Sequence, residues 1–193
     1  MKVLLFCCKG FETMEFSPFV DVMGWARNDY GMAIDVVTAG FTKTVVSAFG
    51  IPVLVDKTYE EIDIFQYDAL AIPGGFEEFG FYGDAYDDRF LNLIREFDRA
   101  DKYIASVCVG ALPLGASGIL QGRKATTYHL GDGRRQKQLA EFGAEVIPDR
   151  SVVTDNNVIT SFCPETAPYV AIALLGMLMG DEKALVVAKA MGY

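Results

Sequence analysis

The chain predicts an α/β fold, a doubly wound domain with a mostly parallel central sheet, helices on both faces and a nucleophile elbow. Three observations carry this. Short continuous apolar runs alternate with helical patterns from end to end, the runs close on Gly or Pro, and one of them delivers Cys108 into a turn of small residues. Val3-Leu4-Leu5-Phe6-Cys7-Cys8, closed by Lys9-Gly10, suits a strand covered on both faces. Phe16, Phe19, Val20, Met23 and Ala26 then fall at helical spacing, and Asn28 to Gly31 supplies a stop before a second strand, Ala33 to Thr38. Such a strand-helix-strand unit takes a right-handed crossover. Gly50 to Val55 reads as a short edge strand or hairpin arm, because Pro52 has no N–H for a central ladder.

Asp68-Ala69-Leu70-Ala71-Ile72 is a third buried strand, ending in Pro73-Gly74-Gly75. A helix from Asp88 to Arg99, carried by Phe90, Leu91, Leu93, Ile94 and Phe97, leads into the strand that delivers Cys108. Ala125 to Tyr128 is predicted as a further strand, and Val152 to Thr154 pairs with Val158 to Thr160 across an Asp155-Asn156-Asn157 turn. Thr166 to Met179 and Glu182 to Met191 close the chain as apolar helices, broken at Gly180-Asp181.

The 193 residues, 51% hydrophobic and 22% charged, suffice for one domain, 1–193, with its own core. A formal charge of -9 without any basic block argues against nucleic-acid binding. The opening run is only of strand length and follows no basic segment, so neither secretion nor a membrane span is expected, and the cytoplasm is the expected compartment. Cysteines at 7, 8, 108 and 163 have no zinc-ligand spacing and there is a single histidine, His129, so neither a structural metal nor a disulfide framework is expected.

Chemistry concentrates at predicted strand ends, where ligands bind in open α/β sheets. Ser106-Val107-Cys108-Val109-Gly110 is the cysteine form of a nucleophile elbow, whose tight turn places the side chain at a helix N-terminus. There the amide groups and helix dipole favour thiolate over thiol. A buried, inert cysteine is the competing interpretation, since cysteine also packs as a small hydrophobe. Pro73-Gly74-Gly75 allows close backbone approach, so the N–H groups of Gly75 and Val109 are candidates for binding a developing oxyanion. Glu15, between Met14 and Phe16, lies on or beside an apolar stripe, where burial would raise its pKa and let a protonated carboxyl hydrogen-bond the sulfur. Glu12 suits a solvated first-turn position instead. His129 is the sole imidazole available as acid or base.

Taken together, these residues resemble the ThiJ/PfpI family of class I glutamine amidotransferase-like proteins, which includes the Parkinsonism-associated protein deglycase and bacterial relatives. The motifs run nearly end to end: Lys9-Gly10-Phe11-Glu12 with Glu15; Tyr67-Asp68 through Pro73-Gly74-Gly75; Cys108-Val109-Gly110; Gly118-Ile119-Leu120-Gln121-Gly122 through Thr126 to His129; and Thr160-Ser161-Phe162-Cys163-Pro164-Glu165-Thr166. The resemblance implies a flavodoxin-like fold, Cys108 as the reactive cysteine, Glu15 as its protonated partner, Gly75 and Val109 as the anion-binding backbone, His129 as a nearby imidazole, and a homodimer to which Trp25, Tyr30 and the closing Met-Gly-Tyr would contribute.

Three positions depart from the family pattern. Val109 stands where the protease-like branch has histidine, which argues against proteolysis. Trp25 lies near the position of an anion-binding arginine of the deglycase branch. Cys163 replaces a glycine, which makes it a possible redox partner of a Cys108 sulfenic acid. The implied function is a cofactor-independent cysteine enzyme acting on a small-molecule electrophile, by glyoxalase- or deglycase-like chemistry on reactive dicarbonyls. Isonitrile hydration is the alternative within enzymes. An oxidative-stress sensor or chaperone using the same cysteine is the alternative outside them.

Overall fold

The computed structural model describes residues 1–193. Its centre is a seven-stranded sheet. In chain order the elements are β1 (Lys2–Phe6), α1 (Thr13–Asn28), β2 (Asp35–Gly40), β3 (Thr44–Val46), β4 (Pro52–Leu54), β5 (Lys57–Thr58), β6 (Ala69–Ile72), α2 (Phe81–Ala85), α3 (Asp88–Arg99), β7 (Tyr103–Ser106), α4 (Ala111–Ala116), β8 (Lys124–Ala125), α5 (Arg134–Glu141), β9 (Glu145–Val146), β10 (Val152–Asp155), β11 (Val158–Ser161), α6 (Ala167–Met179) and α7 (Asp181–Met191). The sheet order is β10-β11-β7-β6-β1-β2-β5, parallel except for the edge strand β10.

This order explains the double winding. The chain steps outward from β1 to β2, then returns to the other side of β1 to lay down β6, β7 and β11. With right-handed crossovers, that reversal sends helices to both faces and opens a crevice between the carboxyl ends of β1 and β6. Register places Leu5 beside Ala71 and Ala71 beside Ala105, so β1, β6 and β7 reach the crevice at one level. The loops that follow carry Lys9-Gly10, Pro73-Gly74-Gly75 and Val107-Cys108.

Helices α1, α6 and α7 pack on one another, while α3 lies against β6, β7 and the short helices α2 and α4. The continuous apolar strands are buried throughout because both faces are covered. Phe6 stacks on Phe90 with ring centroids 4.5 Å apart, tying β1 to α3. No helix is long and apolar enough to cross a membrane.

Several elements differ from expectation. β1 ends at Phe6, leaving Cys7 and Cys8 in the loop beyond it, and β2 is displaced toward its C-terminus. The apolar face of α1 runs through Phe19, Val22, Met23 and Ala26, while Val20 is 37% exposed. Gly50 to Val55 meets the second of its two expectations, a hairpin arm: its β4 pairs with β3 in a two-stranded hairpin outside the main sheet. Of the predicted strand 125–128 only Ala125 lies in a ladder, as the last residue of β8, since the Thr126 N–H donates to Thr160 Oγ1 of β11 and the Thr127 hydroxyl to the Cys108 carbonyl instead. The helices α2 and α5 had no expectation.

Candidate functional site

Cys108 closes the β7 loop with φ 56, in the left-handed region that few side chains adopt. A strained non-glycine residue between strand and helix is what an elbow requires, and it is held by tight neighbours. A side-chain carbon added at Gly110 would meet the Ile72 carbonyl oxygen at 2.8 Å. The small residues flanking Cys108 therefore let β6 and the elbow touch. The Thr127 hydroxyl donates to the Cys108 carbonyl at 2.7 Å, which fixes the elbow from the far side.

Glu15, in the first turn of α1, is fully buried over the crevice. Its Oε2 accepts a 2.5 Å hydrogen bond from the Gly74 N–H. Its Oε1 has no conventional hydrogen-bond partner, and Cys108 is the side chain that interacts with the carboxyl. Burial pushes the carboxyl up to about 8, the charge of Glu12 adds to the rise, and the Gly74 and Cys108 contacts oppose it. Glu15 is thus a neutral acid at physiological pH, aimed at a sulfur.

The expectation that a helix N-terminus alone lowers the Cys108 pKa is not met. Burial raises the thiol well above its ordinary value, an ionised Glu15 raises it further, and only the Val109 N–H lowers it. The helix that follows has six residues, too short for its dipole to outweigh desolvation. The two acids titrate as a pair, so a proton lost belongs to neither alone. With the remaining proton on Glu15, the carboxyl and the Val109 N–H both donate to a thiolate.

The Gly75 N–H enters no hydrogen bond with the protein, although its neighbours pair with Gly10 and Glu12. An isolated bridge to Phe11 holds Gly75 in place beside the first loop. A Cβ at Gly74 would meet Glu15 Oε2 at 2.8 Å and the Val109 nitrogen at 3.0 Å, so glycine is needed where carboxyl, loop and elbow converge.

Cys108, Val109 and Gly75 open on a cleft of about 490 Å³, walled also by Glu12, Tyr82 and Tyr128. Burial raises the pKa of Glu12 above its ordinary value, so this residue is part of the cleft wall and not a fully solvated helix-start acid. His129 makes no hydrogen bond to Cys108, and its side-chain partners lie elsewhere. Its Nδ1 lies 3.4 Å from Cys163 Sγ and its ring stacks on Phe162 at 4.0 Å. Cys163 lines the same cleft, with its thiol pushed up to about 11 by burial, reinforced by the charge of Glu165.

Arg135 was missed by sequence reasoning. It sits over the Tyr82 ring at 4.8 Å, pairs with Glu77 at 2.9 Å and brings a cation to the cleft from the polar helix α5. Its only sequence signal is the Arg134-Arg135 doublet. No cluster of three His, Cys, Asp or Glu side chains could hold a metal ion.

Among solved structures, Drosophila melanogaster DJ-1beta superposes with a TM-score of 0.86 at 27% identity, covering 98% of this chain and 96% of that one. Isonitrile hydratase of Pseudomonas putida is 32% identical over 152 residues, 77% of this chain and 61% of that protein. Protein DJ-1 homolog B of Arabidopsis thaliana is 25% identical over 190 residues, 98% of this chain and 40% of the relative. A family model described as the DJ-1/PfpI family matches residues 1–177. That match runs through every strand of the central sheet and through both cleft cysteines, and the chain belongs to the DJ-1/PfpI family.

Proposed function

We propose that this chain is a cofactor-independent cysteine enzyme acting on small electrophiles, with reactive dicarbonyls as its substrates in glyoxalase- or deglycase-like chemistry. The observation that carries this is the buried Glu15 carboxyl, raised to about 8, against the Cys108 sulfur at a strained turn. Such a pair supplies a nucleophile and a proton carrier in one place.

On a 2-oxoaldehyde, the Cys108 sulfur adds to the aldehyde carbon and the carbonyl π bond opens to an oxyanion. The free Gly75 N–H and the Val109 N–H hold that oxygen while a proton reaches it from Glu15. The Glu15 carboxylate then removes the proton from the former aldehyde carbon. An enediol forms, and reprotonation at the neighbouring carbon leaves a 2-hydroxy thioester on Cys108. Water cleaves the thioester, freeing a 2-hydroxy acid and the thiol. The net change is addition of one water, with one carbon oxidised and its neighbour reduced.

A second substrate class draws support from the isonitrile hydratase relative. There the sulfur would add to the isonitrile carbon, the nitrogen would take a proton, and water would release an N-substituted formamide. We place either reaction in a cytoplasmic homodimer. Four free thiols suit a reducing compartment, and Trp25, Tyr30 and Tyr193 are exposed and apolar or amphipathic. Light scattering on the eluted protein measures the assembly.

The test is D-lactate formation from methylglyoxal without glutathione, comparing the wild type with Cys108→Ala and Glu15→Gln. Saturable activity lost in Cys108→Ala supports the dicarbonyl reading. Activity no greater than in Cys108→Ala rejects it and moves the assay to isonitriles. Failure there leaves a redox sensor or chaperone, checked by oxidation-dependent client binding.

A further inference from the structure

The cleft contains a second thiol that carbonyl addition does not use. Cys163 borders the same cleft as Cys108 and is buried except for 4% of its surface. Its sulfur faces His129, whose Nδ1 lies 3.4 Å away. Three contacts hold the intervening segments side by side. The Thr126 N–H donates to Thr160 Oγ1 at 2.9 Å, the Thr127 hydroxyl donates to the Cys108 carbonyl at 2.7 Å, and His129 then meets Cys163. Two residues of chain span at most about 7 Å, so one short segment touches a cysteine at each end.

The Cys163 turn is itself fixed. The Thr166 hydroxyl lies 2.7 Å from both the Cys163 carbonyl and Ser161 Oγ, and the imidazole is steadied by its stack on Phe162. In the tautomer that leaves Nδ1 unprotonated, His129 is placed to accept the Cys163 proton. A neutral thiol with a base at its proton is a nucleophile held in reserve.

We infer that Cys163 is a resolving thiol, and that Cys108, Cys163 and His129 together reduce hydroperoxides at the expense of an external dithiol. In the first step the Cys108 thiolate attacks the terminal oxygen of the hydroperoxide. The O–O bond breaks, an alcohol or water leaves after taking a proton from Glu15, and Cys108 becomes a sulfenic acid. In the second, Cys163 gives its proton to His129 and its sulfur attacks the Cys108 sulfur. The S–S bond forms, the S–O bond breaks, and the hydroxyl leaves as water with a proton from the imidazolium. A dithiol then returns both cysteines and is itself oxidised to a disulfide. The sum is one hydroperoxide and one dithiol giving an alcohol or water, one further water and one disulfide.

This inference rests on the same assignment of Cys108 as the reactive sulfur, but it also requires Cys163, which thioester chemistry does not. The experiment treats the wild-type protein with two equivalents of hydrogen peroxide, enough to carry one cysteine through sulfenic to sulfinic acid, quenches with an alkylating agent and maps the unreduced peptides by mass spectrometry. The expected product is a peptide linking Cys108 to Cys163, lighter by two hydrogens than its parts, with free thiols falling from four to two and dithiothreitol restoring four. In Cys163→Ser the link is absent and Cys108 proceeds to sulfinic acid. In His129→Asn the link forms about tenfold more slowly once the sulfenic acid is present.

Sulfinic acid on Cys108 with Cys163 still alkylated, in the wild type, overturns the inference. Assaying D-lactate formation on the same preparation separates the two readings. Lactate formed without a linked peptide rejects the resolving thiol alone. A linked peptide without lactate rejects the carbonyl chemistry alone, and an unmodified, inactive Cys108 rejects both.

Discussion

Cys7 and Cys8 lie beyond the end of β1 much as Cys108 lies beyond the end of β7, and all three are buried. Burial pushes every one of these thiols up. The difference is in what surrounds them. Cys7 packs with Phe11, Val45 and Val55, and its thiol makes a single long hydrogen bond, 3.9 Å to the Leu5 carbonyl. Cys8 belongs to the main apolar core, with the charge of Asp84 opposing ionisation. Cys108 alone has a left-handed backbone, a carboxyl that can hold a proton for it, an amide aimed at it and a cleft in front of it. Position at a strand end and burial do not make a cysteine reactive. A partner that stabilises its anion does.

The strongest way to break this contrast is to exchange the cysteines for alanine one at a time. Cys108→Ala should lower D-lactate formation by ~10³-fold or more, because the covalent step has no substitute. Glu15→Gln keeps the shape and the oxygen that accepts from Gly74 but cannot carry a proton, so kcat should fall about 10²- to 10⁴-fold with the fold intact by circular dichroism. Gly74→Ala forces a methyl against the carboxyl and the Val109 nitrogen, and a loss of about tenfold in kcat is expected with about 1–3 kcal/mol of stability. Cys7→Ala and Cys8→Ala should each leave kcat within about twofold and cost about 1 kcal/mol in urea unfolding.

Stability against pH sharpens the same contrast. Glu15 ordinarily titrates near 4.5 and is raised to about 8 in the fold, so the folded chain holds this proton more tightly than the unfolded one. Below 4.5 both states are protonated and Glu15 costs nothing. From there to about 8 the unfolded chain ionises first, and the fold loses about 1.4 kcal/mol per pH unit. Urea midpoints between pH 5 and 8 should fall in the wild type relative to Glu15→Gln. Parallel curves would mean that Glu15 is ionised in the native state.

Much of the framework was legible because apolar periodicity is local. The α3 helix was expected and found over Asp88–Arg99, since Phe90, Leu93, Ile94 and Phe97 mark one face and Asp87 caps the start. The β10–β11 hairpin followed from two apolar runs around Asn156, whose φ of 51 suits its turn. By contrast α5 buries only Leu139, so it has no apolar stripe to reveal it, and Arg135 was hidden with it. Glu15 stood out as an acid amid apolar neighbours. The partner of His129 did not, because contact with Cys163 across 34 residues depends on where two loops meet. The sign of the Cys108 shift was missed for a related reason. Sequence displays a helix start, but the burial that outweighs it is a property of the packed crevice.

Alkylation rates resolved by cysteine distinguish a nucleophile from a packed thiol most directly. The protein at pH 7 would be exposed to limiting iodoacetamide, with the alkylation rate of each of the four cysteines followed by peptide mass spectrometry. Cys108 should react ~10-fold or more faster than Cys7 and Cys8, and its advantage should vanish on unfolding in urea. Equal rates in the native protein, or a Cys108 as inert as its two counterparts, would contradict the claim that the Glu15–Cys108 pair makes this cysteine the nucleophile.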